Sequence, residues 1–470
     1  MPENNERSYP PRRRRRRRRV NYTAIIFWLV VVLIVVGFVA VMLHITGSEP
    51  GDVTTEPSTE ASSEATVPST EVTEPSTSPT DPPVTQVGSA TIGATGDILM
   101  HMPCVRPAAV GDGTYDFTPY FTHIEEYVRA VDYAVANLET TLAGLEGGYE
   151  YGGFPSFNTP DGIVTSLQEV GFDMLLTANN HTYDTQTTGF FRTQQVIREH
   201  GMDHIGTAES EEDDNYLIKE IDGIRIGMIC YTYGNLHPET GKMALNGGTS
   251  LPDHVSPLIN TFLPSDVQGF SDDLEVDISN MKADGAEAIV LYIHWGVEYQ
   301  LKQNYEQVAL AQAACDLGVD VIVGGHPHVI QPMDLLTSTT DEAHKTICLY
   351  STGNALSNQR LGNLSKVKTA HTEDGIFFSF SFAKYSDGTV RVESVELLPL
   401  WINMYTSSQT NKRVYDILPL DKDVEDWKTQ LDLTDKTLVK AEESYERTME
   451  IVGEGLQEVQ EYLDSLPSIE

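Results

Sequence analysis

The chain has 470 residues and a formal net charge of −38, with 69 Asp/Glu against 31 Lys/Arg. That length accommodates one large domain or two to three ordinary ones. Such acidity argues against a nucleic-acid partner, because phosphate backbones are bound by a basic face, and it reads instead as a device for solubility.

The charge is unevenly placed along the chain. Residues 1–20 hold nine Arg, Arg7 and Arg12 to Arg19, against two Glu. They read as a cytoplasmic tail. The span 21–45 reads as a transmembrane helix. Within it Tyr22 to Leu43 carries no charge, and at ~1.5 Å per residue it reaches roughly 33 Å, enough for a bilayer core. Eight consecutive Arg precede the run and no Lys or Arg follows until Arg106. The positive-inside rule therefore places the N-terminus in the cytoplasm and the rest outside the cell membrane, on a single-pass anchor. A cleaved signal peptide is the rival reading, but the run is long for one and no small-x-small site follows it. Residues 46–88 are rich in Thr, Ser, Pro and Glu. They cannot bury enough apolar surface to fold and read as a disordered linker.

From 89 onward apolar runs alternate with helical patterns. Strands are expected at Ala90 to Thr95, Tyr133 to Asn137, Met174 to Ala178, Ala288 to Trp295 and Asp320 to Val323. Helices are expected at Tyr120 to Ala130, Asp161 to Val170, Gly189 to His200, Asp277 to Ala283 and Tyr305 to Leu317. Tyr216 to Tyr231 reads as a hairpin turning at Asp222-Gly223. Antiparallel strands follow at Lys345 to Ser351, Gly375 to Tyr385 and Val390 to Leu398, the last two joined by Asp387-Gly388. The fold class is α/β, two packed sheets flanked by helices over residues 89–420. Residues 421–470 form an acidic helical segment that either packs on the core or projects from it. Cys104, Cys230, Cys315 and Cys348 lie far apart, and a domain of this size needs no staples, so they read mostly as buried free thiols.

Polar residues gather where strands end: Asp97, Glu139, Asn180 and His181, His294, then His326 and His328, and later Asn354. The open edge at strand carboxyl ends is where α/β sheets bind ligands. In Gly324-Gly325-His326-Pro327-His328 the glycines are expected to turn the chain and the proline to stiffen it. One Asp at a strand end is usually a cap. Six successive strand ends carrying carboxylate, amide and imidazole make a mixed ligand set for one or two divalent metal ions, Mn, Zn or Fe. Asp184 either orients His181 or caps the next helix. Glu298 and Trp295 read as substrate-wall residues or, equally, as a helix-start carboxylate and a core aromatic. Asn158 and Asn354 either contact substrate or serve turns.

The order of these motifs resembles the CapA family, linked to bacterial poly-γ-glutamate capsule synthesis, within the calcineurin-like metallophosphoesterase superfamily. The residues that carry the resemblance are Gly-Asp-Ile-Leu-Met at 96–100, Asn-Leu-Glu at 137–139, Phe-Asn-Thr-Pro at 157–160 and Ala-Asn-Asn-His-x-x-Asp at 178–184. With them go His-Trp-Gly-x-Glu-Tyr at 294–299, Gly-Gly-His-Pro-His at 324–328 and Tyr-Ser-x-Gly-Asn at 350–354. The resemblance implies a four-layer α/β/β/α metallophosphatase-like sandwich on a membrane anchor. It implies metal ligands at Asp97, Glu139, Asn180, His294, His326 and His328, with His181 as general acid. Two departures from the phosphoesterase pattern stand out. Leu99 replaces the His of an Asp-x-His pair, with His101 two residues on, and Glu139 is longer than the usual bridging Asp.

These readings lead to an extracytoplasmic protein of capsule or envelope-polymer biosynthesis, export or attachment, whose partners are the membrane, poly-γ-glutamate or another envelope polymer, and membrane synthase subunits. The alternatives are a phosphoesterase on an envelope phosphate, in which a metal-activated water attacks and His181 donates the proton, and a non-catalytic scaffold. Residues 89–470 hold 22 Lys/Arg against 59 Asp/Glu, so a polyanionic ligand requires metals or a local basic patch.

Overall fold

A computed structural model describes residues 83–467, apart from 147, 364, 366, 422, 423 and 432. The expected tail, membrane helix and most of the linker lie outside the described residues. Among the described residues no helix is long and apolar enough to cross a membrane.

Two mixed sheets carry the fold. The first runs Arg413–Pro419, Val390–Thr406, Asp374–Tyr385, Gln86–Ile98, Tyr133–Leu138, Met174–Leu176, Asp203–Ile205, with Asn354–Leu356 joining the end of Gln86–Ile98. Its last four strands are parallel to one another, Asn354–Leu356 pairs parallel with Gln86–Ile98, and the other neighbours pair antiparallel. The second runs Thr261–Phe262, Ile224–Tyr233, Ala288–His294, Val321–Gly325, Lys345–Thr352, Ile330–Thr337. Its central strands are parallel. Ala288–His294 is buried at every residue, as a parallel strand covered on both faces must be.

Three apolar clusters set the layers. Ile92, Ala94, Met228, Val290, Tyr292 and Val323 pack between the sheets. Phe117, Phe121, Ile163 and Leu167 cover the outer face of the first sheet. Phe270, Leu274, Leu310 and Ala314 cover the outer face of the second. The result is helix, sheet, sheet, helix, as expected. The C-terminal segment packs on the core: the helix Asp435–Ser465 puts Val452 and Val459 into the intersheet cluster. All four cysteines are free and buried.

Several elements differ from expectation. The single helix over Tyr120 to Ala130 is instead two short turns, Thr118–Phe121 and Glu125–Val128. Ile124 donates back only three residues, to the Phe121 carbonyl, and that tightening breaks the α ladder. The helix at Asp277 starts ten residues earlier, at Val267, where Asp266 caps it by accepting from Gly269 N. Lys345–Thr352 is antiparallel to Ile330–Thr337 but parallel to Val321–Gly325. The hairpin at Asp222-Gly223 is present, with φ of 44° and 76° at the two turn residues.

Candidate metal centre

The carboxyl ends of the parallel strands of both sheets meet at one edge. Register brings Asp97 beside Asn137 in the first sheet and His294 beside Gly325 in the second. Glu139 follows one strand, and its backbone N–H donates to the Ile98 carbonyl. Asn180 and His181 follow Met174–Leu176, in a turn where Asn179 Oδ1 accepts from His181 N.

The glycines before the histidines act by close approach. Neither Gly324 nor Gly325 has positive φ; His326 and His328 do, at 95° and 57°. A Cβ on Gly324 would lie 2.0 Å from the Tyr350 carbonyl oxygen, and one on Gly325 would lie 2.9 Å from Asp97 Oδ1. The expected turn at the glycines is thus made by the histidines themselves. Left-handed backbone at a non-glycine costs energy and gathers at functional sites.

Asp97, Glu139, His294, His326 and His328 are all buried. Their donor atoms form two groups, Glu139 with His294 and His326, and Asp97 with Glu139 and His328, so Glu139 is common to both. Glu139 Oε1 lies 3.5 Å from His294 Nε2 and 3.9 Å from His181 Nε2, and Oε2 lies 3.8 Å from His328 Nδ1. Among the described residues neither Glu139 oxygen has a hydrogen-bond partner, nor does His326 Nδ1. Asn180 Oδ1 sits 2.8 Å from His294 Nε2. A buried carboxylate left bare is costly unless something charged meets it. The donor set suits a divalent cation.

Burial alone would raise the Asp97 carboxyl, yet the hydrogen bond and charge of His328, with His294 and Asn137, hold it below the usual carboxylate range. For His328 burial works downward, but Glu139 and Asp97 outweigh it and push the imidazole up to about 9. Burial, then the neighbouring His294 and His328, drive His326 well below the usual value. The folded chain therefore holds the His328 proton more tightly than the unfolded chain. In the metal-free protein that contribution to stability is full below pH 6.5 and is lost as pH rises through about 9. Urea unfolding of metal-free protein is expected to weaken across that window, and His328→Gln to flatten the slope; an equal slope in the variant would count against it.

His181 Nδ1 lies 2.7 Å from Asp184 Oδ2, which also accepts from Phe157 N at 2.7 Å, while Asp184 Oδ1 accepts from Asn246 Nδ2. Asp184 thus orients His181. A cleft of about 200 Å³ opens beside the cluster, with Leu99, Phe157, His181, Glu298, Tyr299 and His328 in its wall. His101 borders it too but is not among the converging donors; its ring meets Phe157 edge-on at 5.2 Å, and burial pushes its imidazole down to about 4.

For three residues with two readings left open in the sequence, substrate contact or a structural role, the structure favours the structural one. Asn158 accepts from Ala143 N and donates to the Gly144 and Glu150 carbonyls, pinning a loop. Trp295 is 1 % exposed, stacks on Tyr350 at 5.8 Å and donates from Nε1 to the Tyr350 carbonyl. Asn354 is fully buried and donates to the His328 and Thr372 carbonyls. Asn137 went unassigned in the sequence, although it lies within the quoted Asn-Leu-Glu. Its Nδ2 donates to Asp97 Oδ1 at 2.7 Å and lies 3.4 Å from His294 Nδ1.

The family model for the bacterial capsule synthesis protein PGA_cap matches residues 91–359, a stretch that contains all of the strand ends described above. The chain belongs to this capsule synthesis family. The capsule biosynthesis protein CapA of Bacillus anthracis is 28% identical over 244 residues, 51% of this chain and 54% of that protein. The PGA biosynthesis protein CapA of Bacillus subtilis (strain 168) is 24% identical over 279 residues, 59% of this chain and 64% of that protein. The match thus spans less than two thirds of either CapA relative. Among solved structures, a Thermus thermophilus sulfate thiohydrolase SoxB in complex with glycerol is similar in part, with a TM-score of 0.38 and 13% identity over 77% of this chain and 60% of that one.

Proposed function

We propose that this member of the capsule synthesis family holds one or two divalent cations on Asp97, Glu139, Asn180, His294, His326 and His328, and serves in making, exporting or attaching an envelope polymer such as poly-γ-glutamate. Glu139 carries the metal reading: a buried carboxylate whose oxygens meet no hydrogen-bond partner among the described residues, and which is shared by two groups of ligand atoms. Manganese, zinc or iron fits the mixed set. A bound cation there would supply Lewis-acid polarisation and an activated water for phosphoester hydrolysis.

The chain's own residues have separate tasks. Asp184 fixes His181 through Nδ1, leaving Nε2 on the Glu139 side to give a proton to a leaving group. Leu99 and Phe157 wall the cleft with apolar surface. A non-catalytic scaffold that binds polymer or membrane synthase subunits is the second reading, favoured by Leu99 at the His position of Asp-x-His. The membrane anchor, with the N-terminus cytoplasmic and the domain outside, is supported by the uncharged Tyr22 to Leu43 run behind eight Arg.

Metal analysis of the purified protein tests the reading. One or two equivalents are expected, lost in His326→Ala/His328→Ala; a wild type that takes up no Mn, Zn or Fe removes the catalytic version. On a phosphodiester panel His181→Ala is expected to lower kcat by roughly 10²–10⁴-fold with metal content unchanged. Turnover equal to wild type would rule out His181 as the acid.

A further inference from the structure

The family match ends at residue 359, yet the C-terminal helix Asp435–Ser465 reaches back toward the metal centre through a chain of buried polar contacts. Arg447 forks onto Asp374, Nε to Oδ2 at 2.9 Å and Nη2 to Oδ1 at 2.8 Å, and Ser444 Oγ donates to Oδ1 at 2.6 Å. The Asp374 side chain is 1% exposed. Asp374-Gly375 then backs directly onto Gly353-Asn354. A Cβ on Gly353 would lie 2.6 Å from the Asp374 carbonyl oxygen, and one on Gly375 would lie 2.2 Å from the Asn354 carbonyl oxygen.

Gly353 and Asn354 each hold one proposed ligand by its backbone. The Gly353 carbonyl accepts from Asp97 N at 3.0 Å. Asn354 Nδ2 donates to the His328 carbonyl at 3.1 Å and to the Thr372 carbonyl at 3.0 Å. The helix also presses on the strand that follows the His turn: a Cβ on Gly455 would lie 1.8 Å from the Met333 carbonyl oxygen. His326 and His328 have left-handed backbone, and such a conformation persists only where its surroundings over-determine it.

We infer that the C-terminal helix is part of the site: Arg447 is a positioning residue that, through Asp374 and Gly353-Asn354, holds the His326-Pro327-His328 turn and the Asp97 backbone in ligating geometry. The consequence for metal affinity rests on the reading given under Proposed function; the mechanical coupling does not.

The test compares Arg447→Met and Arg447→Lys with Val459→Ala in the full chain. Val459 lies on the same helix and is buried in the intersheet core, so its truncation destabilises without touching Asp374. Backbone hydrogen exchange without added metal is read on peptides covering 324–331 and 96–100. Arg447→Met is expected to speed exchange there at least fivefold, Arg447→Lys to fall between it and wild type, and Val459→Ala to leave both peptides unchanged relative to the rest of the sheet. Manganese or zinc affinity, measured by chelator competition on the same proteins, is expected to fall about tenfold in Arg447→Met. If exchange at 324–331 is unchanged in Arg447→Met, or rises equally in Val459→Ala, the helix is a structural cover and the inference is overturned. If exchange responds as expected but wild type binds no metal, the coupling stands and the metal reading falls.

Discussion

Glu139→Gln is expected to abolish stoichiometric metal binding while leaving the domain folded. Glu139 belongs to both groups of ligand atoms, so one substitution removes the shared negative charge from both and replaces one of the two carboxylate oxygens with an amide NH2 that cannot ligate. Loss of residues that merely orient a ligand costs 10–100-fold in metal affinity, so removal of a shared carboxylate should cost at least ~100-fold on the same scale. The fold should tolerate the change because Gln has nearly the same shape and neither carboxylate oxygen accepts a hydrogen bond from the described residues. A buried ion without a hydrogen bond carries a desolvation cost. Removing the Glu139 charge also removes part of what holds the His328 proton, so the metal-free variant is expected to unfold cooperatively in urea with a weaker dependence on pH between 6.5 and about 9 than metal-free wild type. Titration calorimetry with manganese and with zinc reads the first effect and urea unfolding the second. Near-wild-type affinity in Glu139→Gln would remove this residue from the centre.

Trp295→Ala is expected to destabilise the protein by about 3–5 kcal/mol, the usual range for emptying a large aromatic from a core. Trp295 packs in the cluster that covers the outer face of the second sheet, with Tyr350 stacked against it. Its Nε1 donates to the Tyr350 carbonyl, so Trp295→Phe should still cost roughly 1–3 kcal/mol for the acceptor left unsatisfied. A residue of the substrate wall would behave differently, raising KM with little change in unfolding. Denaturant unfolding of both variants without metal separates the two roles, and a loss below about 1 kcal/mol in Trp295→Ala would contradict a core role.

The strands that build the site were legible because their signal is local. Ala288–His294 and Val321–Gly325 are short apolar, β-branched runs, and the polar residues of the centre follow such runs directly. The coincidence of strand ends pointed to a mixed ligand set, and the family resemblance singled out within it the five buried carboxylate and imidazole ligand candidates, which the structure gathers at one edge. Elements defined by partners were harder. Ile330–Thr337 reads QPMDLLT after its first residue, a weak strand pattern that becomes one by pairing with Lys345–Thr352. The roles of Asn158, Asn354 and Trp295 were not legible for the same reason. Each is decided by which carbonyl or amide it meets, and those partners lie 8 to 55 residues away. The glycines at 324–325 read as turn formers because sequence shows glycine but not what approaches it. The approach of Tyr350 and Asp97 is a tertiary fact.

The most direct measurement is anomalous diffraction from crystals of the protein loaded with manganese or zinc. A peak is predicted within about 2.0–2.3 Å of a Glu139 carboxylate oxygen, flanked by His294 and His326, by Asp97 and His328, or, with two ions, by both pairs. A loaded crystal in which the ions sit elsewhere and both Glu139 oxygens remain without a cation would contradict the account.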